Sequence, residues 1–438
     1  MAARETALNV LIACRKEAGW SNSLLKQRLA ADGLDRREAA LATRLCYGVV
    51  QNRGKLDFYL QQLLTGKVNK LHPAVRDILH LGLYQMLEMD RIPASAAVNE
   101  SVALAKKYCK KQPGAHALVN AVLRRASVEL GSLQSPKSYV DRYSHPQALV
   151  DKLKSYVGGK ALEAMLIANN QAPDTVVQVN SQKTTAQALQ KAFAEAGVEA
   201  KPHPWLEGCL VLSGTGNIER LPGFREGHFY VQDAAARLSV LCAGLPQEGA
   251  KVLDCCAAPG GKSFAAAIAM AGRGKITACD IYPHRVELIQ KGAQRLGFAN
   301  IRAVQADASA QNPAWVGQMD AVIADVPCSG FGIIRKKPDI RYKDIKVVRE
   351  LPSLQLAILK NQAAYVRPGG VLLYSTCTLT REENEGVVEA FLKEDPDFSL
   401  EKLPLPEVFP ENESGMLSLI PGQYDTDGFF ICRLRKKL

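Results

Sequence analysis

Two cysteines in the sequence sit where a thiol could do chemistry. Cys328 lies in Asp325-Val326-Pro327-Cys328-Ser329-Gly330, and Cys377 lies in Tyr374-Ser375-Thr376-Cys377-Thr378. Most cysteines are small core residues, and that role suits Cys255, Cys279 and Cys432, which fall within or at the end of apolar runs. Cys328 and Cys377 are set among polar and turn residues instead, each directly after an apolar run that reads as a strand. Thiols placed so can act as nucleophiles once ionised. Asp325, three residues before Cys328, adds a carboxylate to the same neighbourhood.

A glycine turn supplies the other half of a site. Pro259-Gly260-Gly261-Lys262-Ser263 follows the apolar run 252–256 and opens an Ala-rich helix. Glycines there let backbone approach a ligand, and the helix start offers N–H groups. Asp280 comes 19 residues after Gly261, at the end of the next apolar run, where a carboxylate can accept both hydroxyls of a ribose. The pattern is neither G-x-G-x-x-G nor G-x-x-x-x-G-K-[ST], so a dinucleotide is disfavoured and a P-loop is absent. A thiolate beside a nucleotide-type ligand suggests a definite reaction. Addition to carbon 6 of a pyrimidine makes carbon 5 enamine-like, able to take the methyl of S-adenosyl-L-methionine. Asp325 can hydrogen-bond the base edge, and the second thiol can assist release.

These residues need a scaffold that gathers strand ends. From Lys251 onward strands alternate with helices: 252–256, 276–279 ending on Asp280, 303–304 ending near Asp307, 321–324 ending at Asp325, and 371–374. The alternation predicts an α/β domain with a doubly wound parallel sheet, which binds ligands beyond the carboxyl ends of its strands. Its expected span is 246–438, after a small α+β segment at 141–245 and an all-α domain at 1–140. In the middle segment 176–180, 209–212 and 229–232 read as strands and 186–196 as a helix.

The first 130 residues read as helix throughout. Pro73 and Pro93 stand where helices would begin, and Asp35 can cap a run containing Ala39, Leu41, Leu45 and Val49. The net charge is +11, and it is unevenly placed. Residues 1–140 hold 21 Lys+Arg against 11 Asp+Glu, a balance of +10, while the rest hold 34 against 33. Basic residues gather at Arg15, Lys16, Arg36, Arg37, Lys106, Lys107, Lys110, Lys111, Arg124 and Arg125. Charge confined to one segment favours a polyanion partner, most simply nucleic acid. The stretch Ile92-Pro93-Ala94 to Lys106-Lys107, with Val119-Asn120-Ala121-Val122-Leu123-Arg124-Arg125, resembles the NusB-type RNA-binding helical domain over about residues 1–130.

The catalytic motifs carry a closer resemblance. Cys256-Ala257-Ala258-Pro259-Gly260-Gly261-Lys262, Asp325-Val326-Pro327-Cys328-Ser329-Gly330 and Ser375-Thr376-Cys377-Thr378 resemble those of the RNA cytosine-5 methyltransferases of the Sun type. The resemblance implies a class I, Rossmann-like methyltransferase domain. It implies Cys256, Ala257, Ala258, Pro259, Gly260, Gly261, Lys262, Asp280, Asp307 and Asp325 at the S-adenosyl-L-methionine site. It implies Cys377 as nucleophile and Cys328 as the thiol assisting release, with no metal. The substrate it implies is a cytosine of 16S ribosomal RNA, naked or in an early small-subunit particle. DNA, a membrane and an obligate protein partner are not expected. The reverse order of the thiols stays open, because DNA cytosine-5 methyltransferases carry their nucleophile in a Pro-Cys loop like Pro327-Cys328. Val326, Phe331 and Gln178 depart from the family pattern, the last at a position where an arginine could have met RNA.

Between the thiols, Arg335-Lys336-Lys337-Pro338-Asp339-Ile340-Arg341-Tyr342-Lys343 reads as an RNA-facing loop with Tyr342 available to stack. The target base is expected to leave its stack, since carbon 6 must be reached from below the ring plane. Eleven cysteines without a C-x-x-C pair disfavour a disulfide framework or zinc module. The start of the chain lacks an apolar leader, and no long apolar run is free of charge, so a cytoplasmic protein is expected. Two other readings compete. Methylation of an exocyclic amine would need no thiol, and an antitermination-type RNA-binding factor would need no intact site.

Overall fold

The computed structural model describes residues 2–17, 21–410 and 412–438. The side chains of Lys16 and Glu17 and of residues 21–23 lie outside the description, so the expected contribution of Lys16 to the basic face does too. The chain divides into two compact units, 1–171 with 334–343, and 172–333 with 344–438.

The first unit is helical: α1 (Ala2–Glu17), α2 (Ser21–Asp32), α3 (Arg36–Leu63), α4 (Pro73–Glu88), α5 (Ala94–Tyr108), α6 (Ala115–Glu129), α7 (Tyr139–Tyr143), α8 (Gln147–Val157) and α9 (Gly159–Ala168). Local chemistry sets the ends. Asp35 accepts from the Glu38 N–H as the N-cap of α3, and Pro73 occupies the first turn of α4, where a missing N–H costs nothing. Apolar side chains at helical spacing meet in one core that includes Leu45, Val49, Leu56, Leu60, Ile78, Leu79, Val119 and Leu123. Burying each leucine or isoleucine contributes roughly 1.5–3 kcal/mol.

The expected RNA-facing loop belongs to this core. Arg341 is fully buried, and its guanidinium donates to the carbonyls of Gln51 (2.8 Å) and Pro338 (3.1 Å) and to Asn170 Oδ1 (2.9 Å). Longer hydrogen bonds reach the Tyr143, Ser144 and Asn169 carbonyls. Tyr342 packs against the helical core, its hydroxyl donating to the Val50 carbonyl at 3.0 Å and its ring lying under the Arg53 guanidinium. Tyr342 is therefore not available to stack on a base. Carbonyl acceptors and an apolar wall hold it more firmly than solvent would. Arg341 keeps its charge although burial lowers its pKa to about 10.

The second unit holds two sheets. The smaller is built from β1 (Thr175–Val179), β2 (Glu199–Pro202), β3 (Cys209–Ser213) and β4 (Phe229–Val231) in the order β2-β3-β1-β4, all antiparallel, backed by α10 (Ala186–Glu195). Gln178 is buried here and donates to the Gln232 carbonyl at 3.0 Å, so this side chain faces the interior. After α11 (Ala234–Leu241) come β5 (Lys251–Asp254), α12 (Gly261–Ala269), β6 (Lys275–Asp280), α13 (Pro283–Leu296), β7 (Ile301–Gln305), β8 (Met319–Asp325), α14 (Val347–Ala363), β9 (Val366–Thr376), α15 (Glu385–Glu394), β10 (Phe398–Leu400), β11 (Met416–Leu419) and β12 (Phe429–Lys436).

The larger sheet runs β10-β12-β9-β8-β5-β6-β7, with β11 also on β12. Strands β5 to β9 are parallel, as the alternation predicts. Strand β12 adds to β9 in the opposite direction, and β10 and β11 join β12, so the sheet is mixed. Cys255, Cys279 and Cys432 are buried core residues, as expected. The topological switch falls between β5 and β8, where the connections diverge and a crevice opens beyond the strand ends.

The Arg341 network predicts a stability effect. Arg341→Met removes the donors that satisfy several buried carbonyls, and leaving a buried acceptor unsatisfied costs about 1–3 kcal/mol. A lower denaturant midpoint for the mutant checks this, and an unchanged midpoint contradicts it.

Candidate active site

The switch-point crevice collects most of the residues singled out by the sequence. Parallel pairing sets Asp325 opposite Ser375, and Ser375 Oγ donates to Asp325 Oδ1 at 2.8 Å. On its other oxygen Asp325 receives Lys262 Nζ at 2.6 Å. Lys262 stands in the first turn of α12, nearly buried, with its ammonium over the Phe429 ring. Burial, the largest single influence, would lower the Lys262 pKa, but the charge and hydrogen bond of Asp325, with the charges of Asp254 and Cys377, together outweigh it and the net shift is upward.

Beyond the paired ends the chains turn, and the two thiols meet. Cys328 Sγ and Cys377 Sγ are 3.2 Å apart, both partly exposed. The hydrogen bond to Cys377, then burial, then the charges of Cys377, Glu383 and Asp325 push the Cys328 thiol well above its usual range. A Cys377 charge would be felt at Lys262, which places that ammonium in the same neighbourhood.

On the other side of β5, Asp280 ends β6 and is buried. It accepts from the Tyr282 N–H at 3.1 Å, and Arg285 lies 3.9 Å away. Asp307 follows β7, exposed, its carboxylate held below the usual range by the Ser309 hydroxyl and N–H. It lines a cavity of about 250 Å³ together with Cys255, Cys279, Trp315 and Tyr365. Cys256 is partly buried, and the Ala257 N–H donates to the Cys279 carbonyl at 2.7 Å. The turn continues through Ala258 and Pro259, joined by a cis bond, to Gly260. Gly260 has φ of 112°, and a Cβ there would meet the Phe264 ring at 2.3 Å. At Gly261 the same space is taken by Gln232 Nε2 at 2.9 Å. The glycines are thus required by the protein's own side chains as well as suited to a ligand.

Three features are not legible in the sequence. Asp254 at the end of β5 is fully buried, receives Ser263 Oγ at 2.7 Å on one oxygen, and has no hydrogen-bond partner on the other. Lys262 is expected at the cofactor site, but its ion pair with Asp325 is not. Glu383 is fully buried behind both thiols. An acid in Arg381-Glu382-Glu383-Asn384-Glu385 looks like a solvated charge run in sequence, and only its partners mark it.

The comparisons agree with this architecture. The family model described as 16S rRNA methyltransferase RsmB/F matches residues 242–435, a ferredoxin-like domain of the same group matches 145–219, and the NusB family matches 1–127. The chain is 37% identical over 445 residues to the probable ribosomal RNA small subunit methyltransferase B of Bacillus subtilis (strain 168), covering 99% of this chain and 98% of the relative. It is 34% identical over 406 residues to ribosomal RNA small subunit methyltransferase B of Vibrio cholerae, covering 92% and 90%. In fold it is similar to the crystal structure of PH0851, with a TM-score of 0.81 over 99% of both chains at 24% identity. Fold and site thus define a methyltransferase with a NusB-like helical domain. The chain belongs to the ribosomal RNA small subunit methyltransferase B family. No described helix is long and apolar enough to cross a membrane.

Asp254 carries a pH signature. Burial, with the Asp325 charge adding, pushes its carboxyl up to about 7 against the pull of Ser263 and Lys262. The unfolded carboxyl releases its proton near pH ~4, so between about 4 and about 7 the folded state holds a proton that the unfolded chain lacks. Stability therefore falls as pH rises through that window, and the whole cost is present above it. Asp254→Asn is expected to raise the melting temperature at about pH 8 and to do so less at about pH 5. Melting curves at both values check the difference.

Proposed function

We propose that this methyltransferase transfers the methyl group of S-adenosylmethionine to carbon 5 of a cytosine in 16S ribosomal RNA, through a covalent bond between Cys377 and carbon 6. The observation that carries the reading is the pair of sulfurs 3.2 Å apart at the ends of adjacent parallel strands, beside the Lys262–Asp325 ion pair. Methylation of an exocyclic amine has no use for such a pair. The names of the relatives, ribosomal RNA small subunit methyltransferases, support the RNA substrate.

The residues present fit the methyl donor. Asp280 is a buried carboxylate at a strand end with capacity beyond the Tyr282 N–H, and α12 begins at Gly260 with no side-chain cap. Gly260, Gly261 and the Cys256–Pro259 turn let backbone come close, and Asp307 lines the adjoining cavity. S-adenosylmethionine, when bound, supplies an electrophilic methyl group. Asp325 keeps unused lone pairs on both oxygens and can orient the base edge.

The chain then does the following. Cys377, once ionised, forms the bond from Sγ to carbon 6, and the electron pair of the 5–6 double bond moves to carbon 5, which would take the methyl as its bond to the donor's sulfonium sulfur breaks and the thioether product leaves. The proton left on carbon 5 then passes to a base, the Cys328 sulfur or water beside it. As that pair reforms the double bond, the bond to Cys377 breaks and the thiolate is restored. Cys328, at hydrogen-bond distance from Cys377, is placed to assist that release. A base accessible to both thiols must be unstacked, so a single-stranded or extruded cytosine is the substrate.

The thiols are tested on a denaturing gel with substrate RNA and labelled methyl donor. Cys377→Ala is expected to abolish methylation and leave no adduct. Cys328→Ala is expected to accumulate a protein–RNA adduct that survives denaturation. A stable adduct in Cys377→Ala and none in Cys328→Ala exchanges the roles. The methylated nucleoside recovered from wild-type reactions must be 5-methylcytosine, and an N-methylated base refutes the reading.

The NusB-like unit is proposed to supply much of the RNA affinity. Lys106 in the last turn of α5, Lys110 and Lys111 in the turn that follows it, and Arg124 on α6 are all exposed. Lysines in a last helical turn also suit the helix dipole, so salt dependence is the discriminating measurement. Replacing these four residues with alanine should flatten the salt slope of RNA binding by roughly 0.7 for each phosphate no longer neutralised. An unchanged slope makes the charge a solvated face only.

A further inference from the structure

Behind the two thiols lies a carboxylate that the reaction as drawn does not use. Glu383 has no exposed surface, yet every hydrogen bond it accepts comes from a segment that carries or supports a thiol. Its Oε2 accepts from the Ser329 backbone N–H at 2.8 Å and from Gln355 Nε2 at 3.0 Å. Its Oε1 accepts from Ser329 Oγ at 2.5 Å and from Thr380 Oγ1 at 3.0 Å. Ser329 follows Cys328 directly, and Thr380 lies three residues beyond Cys377. Thr378, next to Cys377, is joined to Ser329 Oγ at 2.6 Å. Gln355 also donates to the Pro327 carbonyl at 2.9 Å, so the residue before Cys328 is held as well.

The surrounding donors suit a carboxylate. A carboxylate ringed by N–H and O–H donors has no need of its own proton, and ionised it can accept all of them. Burying such an anion costs several kcal/mol unless it is fully hydrogen-bonded, and here each oxygen has two donors. The Glu383 main chain is fixed too, since Tyr374 Oη donates to its carbonyl at 2.6 Å. Tyr374 lies on β9, three residues before Cys377. A backbone bond from the Gly332 N–H to the Cys377 carbonyl at 3.0 Å ties the same two loops on their far side.

We infer that Glu383 is a positioning residue for the methyl-transfer reaction: its buried carboxylate clamps the Cys328 and Cys377 loops in the register that brings the two sulfurs together. The inference rests on the two-thiol reading above for its functional consequence, while the clamp itself is a statement about sulfur geometry.

The test separates geometry from function. Treatment with diamide, which takes up the two thiol hydrogens as a disulfide forms, should cross-link Cys328 to Cys377 in the wild-type full-length protein, read by peptide mass spectrometry. Glu383→Ala should lose most of that cross-link while keeping its affinity for S-adenosylmethionine by calorimetry. Its kcat should fall about a hundredfold, the usual cost of misplacing a reacting group by an ångström, with KM for the methyl donor little changed. Glu383→Gln, which keeps the shape and one acceptor oxygen, should recover part of both readouts. If Glu383→Ala fails to fold, Glu383→Gln and Thr380→Val carry the same comparison with milder losses. Wild-type cross-linking and kcat in a folded Glu383→Ala protein overturn the inference. A loss of cross-linking in a protein whose RNA product is not 5-methylcytosine leaves the clamp standing and removes the proposed reaction.

Discussion

The parallel pairing of β8 with β9 is the constraint from which the site follows. Because Asp325 stands opposite Ser375, the two strands end level and their following turns begin side by side. A shift of one residue would turn every side chain of one strand to the other face of the sheet. Asp325 would then lose Ser375 and Lys262, and the sulfurs would no longer be neighbours. The buried faces of both strands hold that register. Val322, Ile323 and Ala324 on β8 and Leu372, Leu373 and Tyr374 on β9 are all withdrawn from water. The hydrophobic effect on the strands' faces thus helps to fix where the chemistry takes place.

The antiparallel strand β12 completes this arrangement. It pairs with β9, so the strand that leads into Cys377 has neighbours on both edges. It also brings Phe429 beneath the Lys262 ammonium. Lys262 therefore sits between an aromatic face and a carboxylate. This is a setting in which a nearly buried lysine stays charged. Asp254 is in the opposite condition, with one oxygen satisfied by Ser263 and the other unpaired, and its carboxyl holds a proton up to about pH 7. A charged lysine and a carboxyl pushed toward its neutral form thus stand in one site, each set by its surroundings.

Much of this can be read from the chain. Cys328 and Cys377 are recognisable because polar turn residues surround them at the ends of apolar runs, a local signal. Asp280 and the glycine turn are legible by spacing, and Asp35 and Pro73 by their capping chemistry. What escapes depends on residues far apart in sequence. Glu383 acts on Ser329, 54 positions away, and nothing within its own acidic run marks it as buried. Arg341 and Tyr342 read as part of an RNA-facing loop because they stand in a charge run between the two thiols. Their acceptors, Gln51 and Val50, lie nearly 300 positions earlier. Gly260 belongs to the turn on spacing alone, but part of its necessity comes from the Phe264 ring, a packing fact that spacing does not reveal. The antiparallel edge escapes because β12 follows long connections, so its partner and direction are set by tertiary packing.

The placement of 334–343 has a consequence for how the protein is made. This short segment belongs to the helical unit, although it is encoded between two stretches of the other. The helical unit begins at the start of the chain, yet the arginine that satisfies the carbonyl of Gln51 and the side chain of Asn170 emerges from the ribosome only after most of the catalytic unit has been synthesised. Domains normally fold in the order in which they are translated. Here the hydrogen bonds from Arg341 can form only once residue 341 has arrived. The completion of the helical unit and that of the parallel sheet then fall in the same late interval of synthesis.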